Sequence, residues 1–213
     1  MEPVQPNISY HIFNHANGFE NVFREDENFR FFLEKYRLFI SPIAETYVYC
    51  LLPNHFHLVI RIHKREVIEE LIRTKNNFSN LPDFGKVSIS DDEIEKYLSR
   101  QFSSLFSSYA QSFNKMYKRM GSLFIKNFRR KPILNKEHFI NTIIYTHRNP
   151  IHHGFCTSYY EWGYTSFNEI TEMKSELIEV EKALKIFGSK ERFIEKHMEN
   201  LDKFYHTYDM ETS

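Results

Sequence analysis

Residues 45–63 constrain the fold more than any other stretch of the chain. Glu45 to Leu52 is rich in Tyr and Val, Pro53-Asn54 makes a tight turn, and His55 to His63 alternates cleanly. β-Branched and aromatic residues suit a pleated surface, and two such runs around so short a turn predict an antiparallel hairpin. Side chains two apart leave the same face of a strand. Phe56, Leu58, Ile60 and Ile62 therefore point one way, and His55, His57, Val59, Arg61 and His63 the other. The first set has the apolar content to pack on helices. The second reads as a polar face that presents two imidazoles together on an open surface.

The rest of the chain supplies the helices. Ser9 to Phe13 reads as a strand that ends in the turn-rich Asn14-His15-Ala16-Asn17-Gly18. Asp26 to Ile40 has helical spacing in Phe29, Phe32, Leu33, Tyr36 and Ile40, and Pro42 closes it. A short helix near Val67 to Arg73 precedes a polar loop from Thr74 to Ser90. Ser90-Asp91-Asp92-Glu93 is a capping box for a long helix with the stripe Ile94, Leu98, Phe102, Leu105, Tyr109 and Phe113, ended by Gly121. Ser122 to Leu134 is a basic, irregular or strand-like segment. Asn135 caps a helix that runs to about Arg148 and that Pro150 terminates. Two amphipathic helices follow, one with Ile170, Met173, Leu177, Val180 and Leu184, the other with Phe193, Ile194, Leu201 and Phe204. Strand, helix, strand, strand, then helices and a further strand predicts an α+β class. The simplest solution is a ferredoxin-like core with an antiparallel sheet and helices on one face, plus a C-terminal helical extension. Residues 1–167 would form the catalytic domain and residues 168–213 the extension.

Composition excludes several classes. The 213 residues contain no apolar run of the length that spans a bilayer, about 18 residues. Met1-Glu2-Pro3-Val4-Gln5-Pro6 is not a secretory signal, and Cys50 and Cys156 make no disulfide framework, so a reducing cytoplasm is expected. The chain has only 6 glycines and neither GxGxxG nor GxxxxGK[ST], the common nucleotide-binding loops.

Three features could carry chemistry. The first is Pro53-Asn54-His55-Phe56-His57. Half-exposed strand histidines are the plainer reading of any His-x-His, and two imidazoles need a third ligand to complete a metal site. The second is Tyr145-Thr146-His147-Arg148-Asn149-Pro150. On a helical wheel Tyr145 lies on the polar stripe with Asn141 and Asn149, opposite most of the apolar side chains. At i and i+4, Tyr145 and Asn149 can meet one partner together. The third is charge placement. Lys+Arg and Asp+Glu both total 28, so the net charge is zero. Yet from Lys115 to His153 there are nine basic residues, Lys115, Lys118, Arg119, Lys126, Arg129, Arg130, Lys131, Lys136 and Arg148, against one acid, Glu137. From Tyr160 onward twelve acids face seven bases. A basic stretch interleaved with Phe113, Tyr117, Phe124 and Phe128 suits phosphate binding with base stacking, though a solvated helix face is the plainer alternative. Together these residues suggest a metal ion held by His55, His57 and a helical amide, with the Tyr145 hydroxyl as nucleophile on a scissile phosphate. Mg²⁺ or Mn²⁺ fits that donor set.

The chain also resembles a known family. Leu52-Pro53-Asn54-His55-Phe56-His57-Leu58-Val59-Ile60 resembles the signature of HUH single-tyrosine transposases, and more specifically of the REP-associated tyrosine transposases and their insertion-sequence relatives. Tyr10-His11-Ile12-Phe13-Asn14 resembles their opening strand. Gly121-Ser122-Leu123-Phe124 with Arg129, then Tyr145 through Asn149-Pro150 and Gly154, resembles their later blocks. Trp162-Gly163-Tyr164-Thr165-Ser166-Phe167 resembles the tryptophan block after them. The resemblance implies cleavage and joining of single-stranded DNA, often beside a hairpin. It implies His55, His57 and Asn149 as metal ligands and Tyr145 as the nucleophile that forms a 5′-phosphotyrosine. It leaves open a homodimer or a monomer, and a bacterial cytoplasmic protein that joins the nucleoid when bound to DNA. The competing reading is a DNA- or RNA-binding protein on the same scaffold with a repurposed site. A metal-dependent phosphoesterase of small substrates would leave the basic stretch unexplained.

Overall fold

The computed structural model describes residues 3–75 and 88–199. Most of the expected Thr74–Ser90 loop, and Leu201 and Phe204 of the last expected helix, lie outside the described residues. Four strands, β1 (Ser9–His15), β2 (Ala44–Leu52), β3 (His55–Ile62) and β4 (Arg129–Pro132), form one antiparallel sheet in the order β2-β3-β1-β4. Helix α1 (Asp26–Phe39) crosses from β1 to β2; α2 (Arg65–Lys75) and α3 (Asp91–Met116) lead from β3 to β4. Two split β-α-β units with this strand order make the expected ferredoxin-like core. The hairpin register sets Leu52 opposite His55 and Cys50 opposite His57. Strand β1 continues it, with Phe13 opposite His57 and His15 opposite His55.

The first sheet face is the aromatic core. Helices α1 and α3 cover it, with Phe32 against Phe56 at 5.2 Å between ring centroids and Phe106 against Phe56 at 5.7 Å. The capping box of α3 forms as its sequence requires: Ser90 N donates to Glu93 Oε2 at 2.9 Å, and Glu93 N donates to Ser90 Oγ at 3.3 Å. Every residue of the expected stripe from Ile94 to Phe113 is buried. The helix stops at Met116, earlier than Gly121, because Lys118 takes a left-handed φ of 50° and turns the chain.

The second face differs from the expectation. It is not open, because helix α4 (Lys136–His152) lies across β2 and β3 there, and α6 (Val180–Phe187) packs beside it on β2. Helices therefore cover both faces rather than one. Asn135 caps α4 by accepting from His138 N at 2.9 Å. Pro150 does not terminate α4. A proline removes only the bond its own N–H would make, and the helix runs on to His152 before Gly154, at φ 71°, reverses the chain.

The segment after α4 closes the sheet edge. Leu51 N donates to Tyr164 O at 2.9 Å, Ser166 N to Tyr49 O at 3.1 Å, and Trp162 Nε1 to Leu51 O at 2.9 Å. The exposed edge of β2 is thus partly paired, which removes a template for aggregation. The single helix expected over residues 170–184 is two, α5 (Phe167–Thr171) and α6, broken where Met173 adopts φ 58°. Glu169 pins that break by accepting from both Tyr49 Oη and Ser175 Oγ. The last described helix is α7 (Lys190–Met198). No helix among the described residues is long and apolar enough to cross a membrane.

Candidate active site

Strand alternation and the course of α4 bring His55, His57, Tyr145 and Asn149 to one place. The Tyr145 ring meets His57 edge-on at 5.5 Å between centroids and His11 at 5.9 Å. Asn149, one turn on, donates its amide to Tyr145 O at 2.9 Å. Its carboxamide also lies against the His55 ring, without completing a hydrogen bond to Nε2. Tyr145 is half-buried. The histidines were expected on an open face, but each is only 2 % exposed, since α4 roofs them.

Each of the two histidines is held by one ring nitrogen. His55 Nδ1 sits 2.7 Å from Asn54 Oδ1 and must donate to it, which puts the lone pair on Nε2. That Nε2 is buried and has no hydrogen-bond partner. His57 Nδ1 sits 2.9 Å from His11 Nε2, a contact in which one ring donates and the other accepts. Burial, and secondarily the neighbouring His15 and His153, lowers the His55 pKa to about 3. Burial first, then His11 and His55, holds His57 well below the usual imidazole range, and burial with Lys131 lowers His11 to about 3. All three rings are neutral at physiological pH. A buried lone pair without a partner, on a neutral imidazole fixed through its other nitrogen, is what a metal ligand needs. No group of three His, Cys, Asp or Glu side chains among the described residues is arranged to hold a metal. Asn149 places a carboxamide beside His55.

Three histidines that the motif reading passed over complete the surroundings. His11 faces the site because β1 alternates in register with β3; its signal was its place two residues before Phe13 on a strand that must pair. His15 stacks on His55 at 4.6 Å, and His153 meets His55 edge-on at 4.9 Å. His153 stands at i+4 from Asn149, so the stripe Tyr145-Asn149-His153 was legible on the wheel.

The expected DNA-contacting residues separate in space. Arg129 and Lys131 pair with Phe13 and His11 on β1 and share their face, with Lys131 Nζ 5.8 Å from the Phe13 ring centre. Arg130 points to the other face, over Phe128 at 5.1 Å. Lys115, Lys118 and Lys126 are exposed around the end of α3 and the loop after it. Arg119 is mostly buried; it pairs with Glu20 and donates to Ser122 O at 2.8 Å, so it holds loops together. Arg148 points away, lining a cavity with Ile151, Tyr159 and His197.

On the far side of α4 a polar chain anchors the helix. His147 Nδ1 lies 3.0 Å from His197 Nε2 on α7, and His147 Nε2 lies 2.8 Å from Ser166 Oγ. Burial holds His147 well below the usual range and lowers His197 to about 3.

The fold has a parallel among solved structures. A REP-associated tyrosine transposase bound to a REP hairpin superposes with a TM-score of 0.51 at 11% identity, over 84% of this chain and 87% of that one. The chain shares that transposase's fold. A bacterial tRNA(His) guanylyltransferase-like protein in complex with ATP gives a TM-score of 0.41 at 13% identity, over 71% of this chain and 61% of that one. No protein-family model and no curated protein matches the sequence.

Five buried histidines with lowered pKa values make stability pH-dependent. The unfolded chain takes up protons as pH falls through about 6.5, and the folded chain refuses them. Urea unfolding should show stability that is nearly flat above pH 8 and falls progressively toward pH 5.5, by about 1 kcal/mol for each ring that stays neutral. A flat profile would mean that these rings are charged or solvated in the folded state.

Proposed function

We propose that this protein is a metal-dependent endonuclease and strand transferase of single-stranded DNA that works through a 5′-phosphotyrosine. The observation that carries this reading is the convergence of Tyr145 with His57 and of Asn149 with the unpartnered His55 Nε2. The shared fold with a transposase bound to a hairpin supports it. His55, His57 and Asn149 would hold the Mg²⁺ or Mn²⁺. When bound, the ion polarises a phosphoryl oxygen and offsets charge that develops in the transition state.

The chain's own residues do the rest. Tyr145 Oη attacks phosphorus and gives its proton to water; the bond to the 3′ oxygen breaks, and that oxygen takes a proton from water. The products are a 5′-phosphotyrosine and a free 3′ hydroxyl. Attack by a 3′ hydroxyl on the adduct reverses the step, so strands are rejoined without ATP. Attachment of Tyr145 to a helix that is anchored from behind by His147 fixes the nucleophile against the histidines. Arg129 and Lys131, on the same sheet face, contribute positive charge beside the phosphate path.

A second reading, binding without cleavage, is favoured by the burial of both histidines to 2 % exposure, which leaves little room for a phosphate. A nicking assay on a single-stranded DNA hairpin with Mg²⁺ or Mn²⁺ separates the two. Wild-type protein should give a covalent adduct resistant to denaturation; Tyr145→Phe should give none, and His55→Ala should bind the hairpin yet not cleave. An adduct that survives Tyr145→Phe, or its absence in the wild type, rejects the nuclease reading.

His11 gives a finer test. His11→Ala removes the partner that orients His57, and calorimetric Mn²⁺ affinity should fall about 10- to 100-fold while hairpin binding without metal stays unchanged. For the basic strand, Arg129→Ala or Lys131→Ala should lower the slope of log K against log salt by about one unit each. An unchanged slope would place these cations away from DNA.

A further inference from the structure

Two loops at the histidine end of the sheet are tied together and hold large apolar side chains out in water. After β1, Asn17 N donates to Leu123 O at 2.9 Å; on the facing loop, Ile125 N donates to His15 O at 2.9 Å. Ala16 and Phe124 form a bridge, and the Glu20–Arg119 ion pair closes the far end. Asn114 Nδ2 and Arg119 Nη1 both donate to Gly121 O, at 2.9 and 3.2 Å. The backbones are therefore pinned. Yet Phe19 is fully exposed and Met120 is 92 % exposed, with Ile125 at 46 %. A globular chain gains about 1.5–3 kcal/mol by burying such a side chain, so pinned loops that present two of them point to something that covers them.

The surroundings identify the class of occupant. From Lys115 to Lys136 the chain carries eight Lys and Arg and no acid. Lys118 and Lys126 are exposed on either side of Met120 and Ile125, while Glu20, the acid on the facing loop, is taken up by Arg119. The occupant must be apolar where it meets Phe19 and Met120 and anionic around them. Unpaired nucleobases on a phosphate backbone have that combination, and apolar wedges of Phe and Met against base steps are a recurrent device. The position fits too. Phe19 is four residues beyond His15, whose ring stacks on His55, so its Cα lies within at most about 14 Å of the His15 Cα.

We propose that Phe19 and Met120 form a wedge that stacks on unpaired bases flanking a DNA hairpin, beside the cleavage site. This rests on the nuclease reading but fails separately from it. The wild type, Phe19→Ala/Met120→Ala, Phe19→Trp and Lys118→Ala/Lys126→Ala would be titrated by anisotropy against a hairpin with a single-stranded flank and against the same hairpin made blunt, at several salt concentrations. A 2-aminopurine at the first unpaired positions reports stacking. The double alanine variant should weaken binding to the flanked hairpin at least about tenfold, leave the blunt hairpin and the salt slope unchanged, and abolish the emission change. Phe19→Trp should retain both affinity and emission change. The lysine pair should instead lower the slope by about two. Equal loss on both hairpins, or a retained emission change, overturns the wedge even where the wild type forms its adduct. A wild type that sediments as a dimer and a double variant that sediments as a monomer would assign these side chains to self-association and also overturn it. A wild type that binds neither DNA rejects both proposals.

Discussion

Burial of two neutral imidazoles between a sheet and a helix sets the terms for the rest of this molecule. A charged imidazole beneath α4 would lack solvation, so His55 and His57 fold only as neutral rings. Neutral rings must place one N–H and one lone pair each. Asn54 takes the N–H of His55, and His11 satisfies one side of His57. What is left over on His55 is an acceptor with no donor, buried, at Nε2. Ordinary cores avoid such a group, since an unsatisfied buried polar atom costs about 1–3 kcal/mol. Its persistence beside a carboxamide, with Tyr145 on the neighbouring His57, is the reason to read the place as a site rather than as packing.

The roof over the histidines is held from its far side. Helix α4 presents Tyr145, Asn149 and His153 to the sheet and His147 to α7 and Ser166. Ser166 in turn accepts from Tyr49 N at 2.9 Å, so the chain of bonds returns to β2, the partner of β3. The segment after α4 and the terminal helices thus lock the helix that carries Tyr145 to the same hairpin that carries the histidines. A shift of α4 along the sheet would break the edge-on contact of Tyr145 with His57.

Much of this was legible in the sequence, for identifiable reasons. The strict alternation of β3 gave its two faces, and the capping box and stripe of α3 gave the start and buried face of that helix, though not its end, because local chemistry decides those features. Tyr145 and Asn149 came from a wheel, which depends only on helical period. Burial of the histidines did not, because it depends on which face α4 docks against, a tertiary choice with no local signature. Pro150 misled because its cost inside a helix is overridden where the last turn is held by bonds to its own carbonyl, Phe155 N donating to Pro150 O at 2.9 Å. His11 was missed because it becomes relevant only through register with β3, and the break at Met173 because a left-handed φ at a methionine is set by Glu169 and its partners, not by propensity.

Charge follows the same logic of placement over composition. The net charge of zero conceals a stretch from Lys115 to Lys136 without an acid. The stretch divides by position: Arg119 pairs with Glu20, Arg130 lies on the sheet face of Ile12, over Phe128, and Arg148, further on, faces the α7 side. Arg129 and Lys131 lie along β4 on the face of His11 and Phe13, and Lys118 and Lys126 are exposed around the two tied loops. Lys131 opposes His11 and Arg129 opposes Phe13 on β1, while the facing loop meets that strand at His15 through Ile125. Which cations share the face of the histidines is therefore decided by strand register, not by their number in the stretch.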